Sequence, residues 1–455
     1  MAQVTPPMPL MPIPTSRQLA WQERELIMFV HFGVNTFTDR EWGDGNEDPA
    51  IFNPTRLDAR QWARVARETG FKTIILTAKH HDGFNLWPSA YTAHSVKNSP
   101  WKEGKGDVVR ELAEACRAEG IGLGLYLSPW DRHEPSYGDN VRYNQYYAAQ
   151  LHELLTRYGP LDEIWFDGAK GEDAKDMAYD FDAYWALVRQ LQPNAVMFSD
   201  AGPDVRWIGN ERGHAGETCW SMMNGDQVTI GAADTGYLNA GDPNGKDWIP
   251  GECDVSIRRG WFYHEDQQPK SRDELLDIYY KSVGRNCVLL LNVPPNKEGR
   301  FSDADVERLR EFREALDTIF GTDYALGGTL TAENVRGGSP AFGPENVIDS
   351  DPKTYWATDD EVISSAFEIE LAQPATFNVI RIEEPIAMGQ RVEAFRVQVR
   401  KDGAWETVST GTTIGYRRLL KIEPVQTDRV RVIIEKSRAC PLISGFGLHF
   451  DPFLP

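Results

Sequence analysis

Seven short apolar runs recur along the first two thirds of the chain: LIMFVHFG (26–33), KTIILTAK (72–79), GLGLYLS (122–128), DEIWFDG (162–168), NAVMFSD (194–200), DVRWIGNE (204–211) and NCVLLLNV (286–293). They barely alternate apolar with polar residues, which is the pattern of strands buried on both faces of a parallel sheet. IPGECDVSI (249–257) is a weaker eighth run. Between the runs the period becomes helical. RLDARQWARVARETG (56–70) closes on Gly70, and DVVRELAEACRAEG (107–120) opens on Asp107 as N-cap and closes on Gly120. Segments 140–158, 177–191, 272–284 and 303–319 read as further helices. Eight strand–helix units over roughly 320 residues predict an α/β fold, a (β/α)8-type barrel rather than an open sheet. The long connections 34–55, 80–106, 129–140 and 212–250 follow strand ends and fall on the C-terminal face, where barrels build their sites.

After about residue 322 the helical period stops. FEIELA, FNVIRIEE, EAFRVQVRK, RVRVIIEK and FGLHF are β-type runs separated by turns. The expected division is a barrel over 1–322 and an all-β sandwich over 323–455.

Composition narrows the partners. A formal net charge of −20 argues against nucleic-acid binding, which needs the opposite sign. No apolar run reaches the roughly 20 residues of a membrane span, so no membrane insertion is expected. The opening MAQVTPPMPLMPIPTSRQLAW has no basic start and no clean apolar stretch, so no signal peptide is expected, and the compartment stays open between periplasmic or secreted and cytoplasmic. The five cysteines lie outside CxxC spacing and read as free thiols. Oligomeric state is not legible.

Polar residues at the C-terminal ends of barrel strands point to catalysis. Here they are His31, His80 and His81, Tyr126, Asp167 and Glu211. Asp167 and Glu211 offer two carboxylates from nearby strands. A glycosidase needs such a pair, one to attack or stabilise the anomeric carbon and one to shuttle the proton. The adjacent His80 and His81 invite a metal reading together with His31. Neighbours in a regular strand face opposite sides, however, so both reach one ion only from irregular backbone. Neutral imidazoles bonded to sugar hydroxyls fit better, and no catalytic metal is assigned. A metal-dependent hydrolase and an inactive carbohydrate-binding protein are the rival readings.

The set VHFG, REWGDG, KHHDGF, YLSPWD, EIWFDG, WIGNE and GWFYH resembles glycoside hydrolase family 29, the retaining α-L-fucosidases, over residues 15–320. WIGNE resembles the subfamily acting on α-1,3 and α-1,4 linkages of Lewis-type glycans. The resemblance implies exo-release of L-fucose from fucosylated oligosaccharides or glycoconjugates, with no organic cofactor. Asp167 would be the nucleophile and Glu211 the acid/base. His31, Trp42, His80, His81 and Tyr126 would hold the sugar, and Trp261 would pack near its C6 methyl. Glu217, six residues past Glu211, is the alternative acid/base; Glu211 is preferred because it ends a strand. ENVIDSDPKTYWATDD (345–360) resembles a discoidin-like, carbohydrate-binding-type module, in which Asp349 and Asp351 could supply oxygens to a structural Ca²⁺.

Overall fold

The computed structural model describes residues 4–454. Its barrel strands are β1 (Leu26–Val30), β2 (Thr73–Lys79), β3 (Gly122–Leu127), β4 (Glu163–Trp165), β5 (Val196–Ser199), β6 (Val205–Trp207), β7 (Gly251–Ser256) and β8 (Val288–Asn292). All pair in parallel and close in the order β1-β8-β7-β6-β5-β4-β3-β2. The apolar runs do not alternate because both faces meet apolar surroundings. Ile27, Phe29, Ile75, Trp165, Phe198 and Leu290 fill the interior, whereas Leu26, Met28, Ile74, Leu76 and Leu291 meet the helical layer.

Helices α1 (Ser16–Gln22), α2 (Ala59–Glu68), α3 (Val108–Glu119), α4 (Asn140–Arg157), α5 (Phe181–Leu191), α6 (Thr235–Ala240), α7 (Arg272–Lys281) and α8 (Asp303–Phe320) accompany the strands. Side-chain caps start them as expected: Asp107 accepts from Arg110 N, and α3 stops at Gly120, whose φ of 68° suits glycine. α1, opened by a Thr15–Gln18 capping box, delivers Trp21 into the barrel, where Trp21 Nε1 donates to Glu163 Oε2 at 3.0 Å. Trp165 Nε1 donates to Glu252 Oε1 at 2.9 Å. The remaining oxygens, Glu163 Oε1 and Glu252 Oε2, are buried without an N–H or hydroxyl donor. Burial raises both carboxyls above their usual range, and the neighbouring Glu163 raises Glu252 further.

The eight-unit expectation needs two corrections. No helix separates β5 from β6. The chain turns back within five residues, with Gly202 N and Asp204 N bonding Ser199 O and Met197 O, and Asp204 held by Arg17 and Arg189. The β6–β7 excursion carries the six-residue α6, a 3-10 turn at Gly225–Gln227 and a two-residue antiparallel ladder of Met222–Met223 with Asp247–Trp248. It is organised instead by fully buried Arg206, which donates to the carbonyls of Leu238 and Trp220, each at 2.8 Å, and of Ile249.

The second domain is antiparallel: β9 (Thr329–Ala332), β10 (Ser365–Glu383), β11 (Val392–Lys401), β12 (Ala404–Gly411), β13 (Arg418–Ser437) and β14 (Gly445–His449). The order is β9-β10-β13-β11-β12, with β14 also on β10. FEIELA and FNVIRIEE, expected as two strands, form one bent strand. Its ladder shifts register between Glu370 and Ala375, where Pro374 cannot donate. Phe367 and Phe377, on either side of that shift, share one core with Phe395, Val432 and Phe446.

The domains join through Asn286 N to Arg417 O and Leu419 N to Gly284 O, both 3.0 Å, and through the Arg417 guanidinium between Glu25 and Glu383. Trp220, Met222 and Trp248 pack on Ile386. All five cysteines are buried free thiols. No helix of the described residues is long and apolar enough to cross a membrane. Asp349 spends its oxygens on Asp351 N and the Thr354 hydroxyl, and Asp351 accepts from Lys353 N. Both aspartates therefore shape their own turn. Among the described residues no group of three or more His, Cys, Asp or Glu is placed to hold a metal.

Candidate active site

A cavity of about 350 Å³ opens at the C-terminal ends of the strands. His31, Trp42, His80, His81, Tyr126, Asp167, Glu211 and Trp261 all line it. Nearly every strand sends one polar group: His31 follows β1, His80 and His81 follow β2, Tyr126 lies on β3, Asp167 follows β4, Asp200 follows β5, Glu211 follows β6, and Asp254 lies on β7. Imidazoles and a phenol therefore occupy one half of the rim and four carboxyl groups the other.

Both histidines of KHHDGF reach the cavity because the backbone is irregular there. The β2–β3 register shifts between Thr77 and Lys79, and β2 ends at Lys79. The buried Lys79 ammonium is anchored away from the cavity on Asp131 (2.9 Å) and Gln150 (3.1 Å). The rings of His80 and His81 then lie 4.1 Å apart.

The hydrogen bonds fix the tautomers. Asn292 donates through Nδ2 to Trp261 O at 2.8 Å, so its Oδ1 accepts from His31 Nδ1 at 2.9 Å. Ser128 donates to Trp130 O at 2.6 Å and accepts from His81 Nδ1 at 2.7 Å. The Nε2 atoms of His31 and His81 are therefore lone-pair acceptors. Burial drives His31 down to about 3 and His81 to about 4, and holds His80 well below the usual range, so all three stay neutral. Such a wall suits a ligand that brings hydroxyl donors.

Asp167 lies two residues beyond β4, the strand being shorter than the run predicted. Its Oδ2 accepts from Tyr126 Oη at 2.8 Å and its Oδ1 from Ala169 N at 2.8 Å. His81 Nε2 stands 3.7 Å from Oδ2. Burial, with Asp167 as a smaller cause, pushes the Tyr126 phenol well above its usual range, so it remains a donor.

Glu211 does not end a strand. β6 stops at Trp207, and Glu211 sits in a turn shaped by Gly209 (φ 84°) and by Asn210, which accepts from Arg212 N and donates to His214 O. Trp261 Nε1 donates to Glu211 Oε2 at 3.4 Å. Partial desolvation, then the nearby carboxylates of Asp167 and Glu41, raise the Glu211 carboxyl above its usual range despite its exposed position. Glu217 lies elsewhere. It is not part of the cavity wall, its side chain is 81% exposed and meets Arg285, and its carbonyl accepts from Arg418 of the second domain.

Sequence reasoning missed the cavity floor and two carboxyls. Phe29, Trp165 and Phe198 make an apolar floor, with Trp165 and Phe198 stacked at 4.0 Å. Asp200 accepts from Gly231 N at 2.7 Å and is pushed up to about 6, chiefly by burial. Asp254 accepts from Trp207 Nε1 at 2.8 Å and is held well above the carboxylate range, first by burial and then by Glu211. Asp200 ends NAVMFSD and obeys the same strand-end rule that singled out Asp167. Asp254 lies inside a strand, where no such signal exists.

Residues 18–318 match the family model for alpha-L-fucosidase, and residues 329–445 match the F5/8 type C domain. Alpha-L-fucosidase 1 of Arabidopsis thaliana is 52% identical over 98% of this chain and 89% of its own length. A protein of Oryza sativa subsp. japonica is 56% identical over 99% and 88%. A family 29 fucosidase of Ruminococcus gnavus, solved in complex with fucose, superposes with a TM-score of 0.94 at 36% identity, covering 99% of this chain and 97% of that one.

Proposed function

The chain belongs to the alpha-L-fucosidase family of glycoside hydrolases, and from that premise we propose that it is a retaining exo-enzyme releasing L-fucose from α-1,3/1,4-fucosylated, Lewis-type oligosaccharides. The observation that carries the mechanism is Asp167, held by Tyr126 and Ala169 in one cavity with a Glu211 whose carboxyl is raised.

In the first step an Asp167 oxygen forms a bond to the anomeric carbon. The glycosidic C–O bond breaks, and Glu211 gives its proton to the departing oxygen. In the second step Glu211 takes a proton from water, the water oxygen bonds the anomeric carbon, and the bond to Asp167 breaks. Glu211 returns protonated, so the cycle balances through side chains of this chain. The acceptor nitrogens of His31 and His81 receive sugar hydroxyl hydrogens. The aromatic floor and Trp261 suit the C6 methyl, because a C6 hydroxyl there would lose its partner.

The test follows fucose release from 3-fucosyllactose, Lewis a trisaccharide and 2'-fucosyllactose by wild type, Asp167→Asn and Glu211→Gln. Release from the first two alone, lost in both variants, is expected. Equal release from all three would overturn the linkage reading, and none from any would overturn the substrate.

A further inference from the structure

We propose that His264 is a positioning residue for Glu211. It staples the loop after β1 to the segment that carries Trp261, and so fixes the indole that donates to Glu211. This rests on the acid/base reading of Glu211 given above.

His264 Nδ1 lies 2.6 Å from Asp39 Oδ1 and His264 Nε2 lies 2.6 Å from Glu41 Oε1. Both partners are acceptors, and a neutral imidazole has one N–H, so both contacts close only when both nitrogens carry hydrogen. His264 is thus the cationic imidazole beside a cavity whose three other imidazoles are neutral. The raised affinity of His264 for its proton agrees, the bonds to Glu41 and Asp39 outweighing the opposing effect of burial.

The staple reaches the chemistry in two bonds. Glu41, held by His264, accepts from Trp261 N at 2.8 Å and from Phe262 N at 3.3 Å. Trp261 Nε1 then donates to Glu211 Oε2 at 3.4 Å. The fit depends on Gly260. A Cβ there would stand 2.3 Å from Glu41 Oε1 and 3.0 Å from His264 Cδ2, so any larger residue would push the clamp apart. Asp39 adopts φ 60°, a conformation that aspartate and asparagine tolerate better than most residues.

His264→Gln keeps one donor and loses the charge; Asp39→Asn keeps the shape and weakens one contact. The readout is kcat/KM for 3-fucosyllactose against α-L-fucosyl fluoride, whose fluoride leaves without a proton. Loss of proton delivery by Glu211 therefore shows only with the sugar leaving group. We expect the loss of His264→Gln on 3-fucosyllactose to exceed its loss on the fluoride by about tenfold, the scale of one charge-assisted hydrogen bond, any loss common to both substrates reporting the contact of Trp261 with the fucosyl ring they share. Asp39→Asn should fall between wild type and His264→Gln, and thermal melting checks that each variant is folded.

The alkaline limb should also move upward. Glu211, facing Trp261, Asp167, Glu41 and Asp254, loses the donation that favours its charged form. Equal losses on both substrates with an unmoved limb would overturn the staple's role while leaving the acid/base reading intact. If His264→Gln fails to fold, Asp39→Asn decides by the same criteria. Absence of turnover by wild type on either substrate would overturn the reading of Glu211 and, with it, this one.

Discussion

Tyr126 donates its phenolic hydrogen to Asp167 Oδ2 at 2.8 Å, from a fully buried position on the strand next to the one that presents Asp167. The bond aims one carboxylate oxygen while Ala169 N holds the other. Tyr126→Phe keeps the packing and removes the donor. We expect kcat/KM to fall about tenfold with little change in melting temperature, since one hydrogen bond to a charged group is worth roughly 1.5–3 kcal/mol. Steady-state kinetics on 3-fucosyllactose checks this.

Glu211 must be protonated to assist departure, and its carboxyl is raised. The value of kcat/KM should therefore fall as pH rises through the Glu211 ionisation. Glu211→Gln should lower kcat/KM by roughly 100- to 10,000-fold, the usual contribution of a general acid, and erase that limb. The buried imidazoles, driven to about 3 and 4 at His31 and His81, should add no ionisation near neutrality.

Glu217 provides the contrasting case. Its side chain is exposed and outside the cavity wall. Glu217→Gln should stay within about twofold of wild type in kcat/KM, as surface substitutions usually do. A loss comparable to that of Glu211→Gln would move the acid/base role to Glu217.

The Glu163–Glu252 pair below the cavity governs stability rather than chemistry. Burial pushes Glu163 up to about 7 and Glu252 well above its usual value. Carboxyls raised in the folded state favour folding below their unfolded pKa. That contribution is lost as pH climbs from about 4.5 through the folded value. Thermal stability should decline as pH rises from about 5 through 7, and Glu252→Gln, which cannot ionise, should flatten the slope. Melting curves across that range decide it.

Much of the site was legible because barrel strands are buried on both faces and their polar ends stand out. VHFG, KHHDGF and EIWFDG each deliver the residue expected. The argument for Glu211 from a strand end did not hold: its turn depends on Gly209 and Asn210, local signals hidden inside an apparently continuous apolar run. Asp254 was missed because it sits within a strand, where a buried aspartate is invisible without its partner Trp207. The 212–250 excursion was unreadable because its order comes from one arginine, Arg206, gathering three carbonyls distant in sequence. The single bent strand β10 was read as two because Pro374 looks like a break, although a bulge accommodates it.

The most direct test of the mechanism is covalent trapping with 2-deoxy-2-fluoro-L-fucosyl fluoride, followed by mass analysis of the peptides. The fluorine slows both steps while the fluoride leaves readily, so an intermediate accumulates. The account predicts a fluorofucosyl group on Asp167, absent from Asp167→Asn. A label on Asp200 or Asp254, or steady turnover with no labelled peptide, would contradict it.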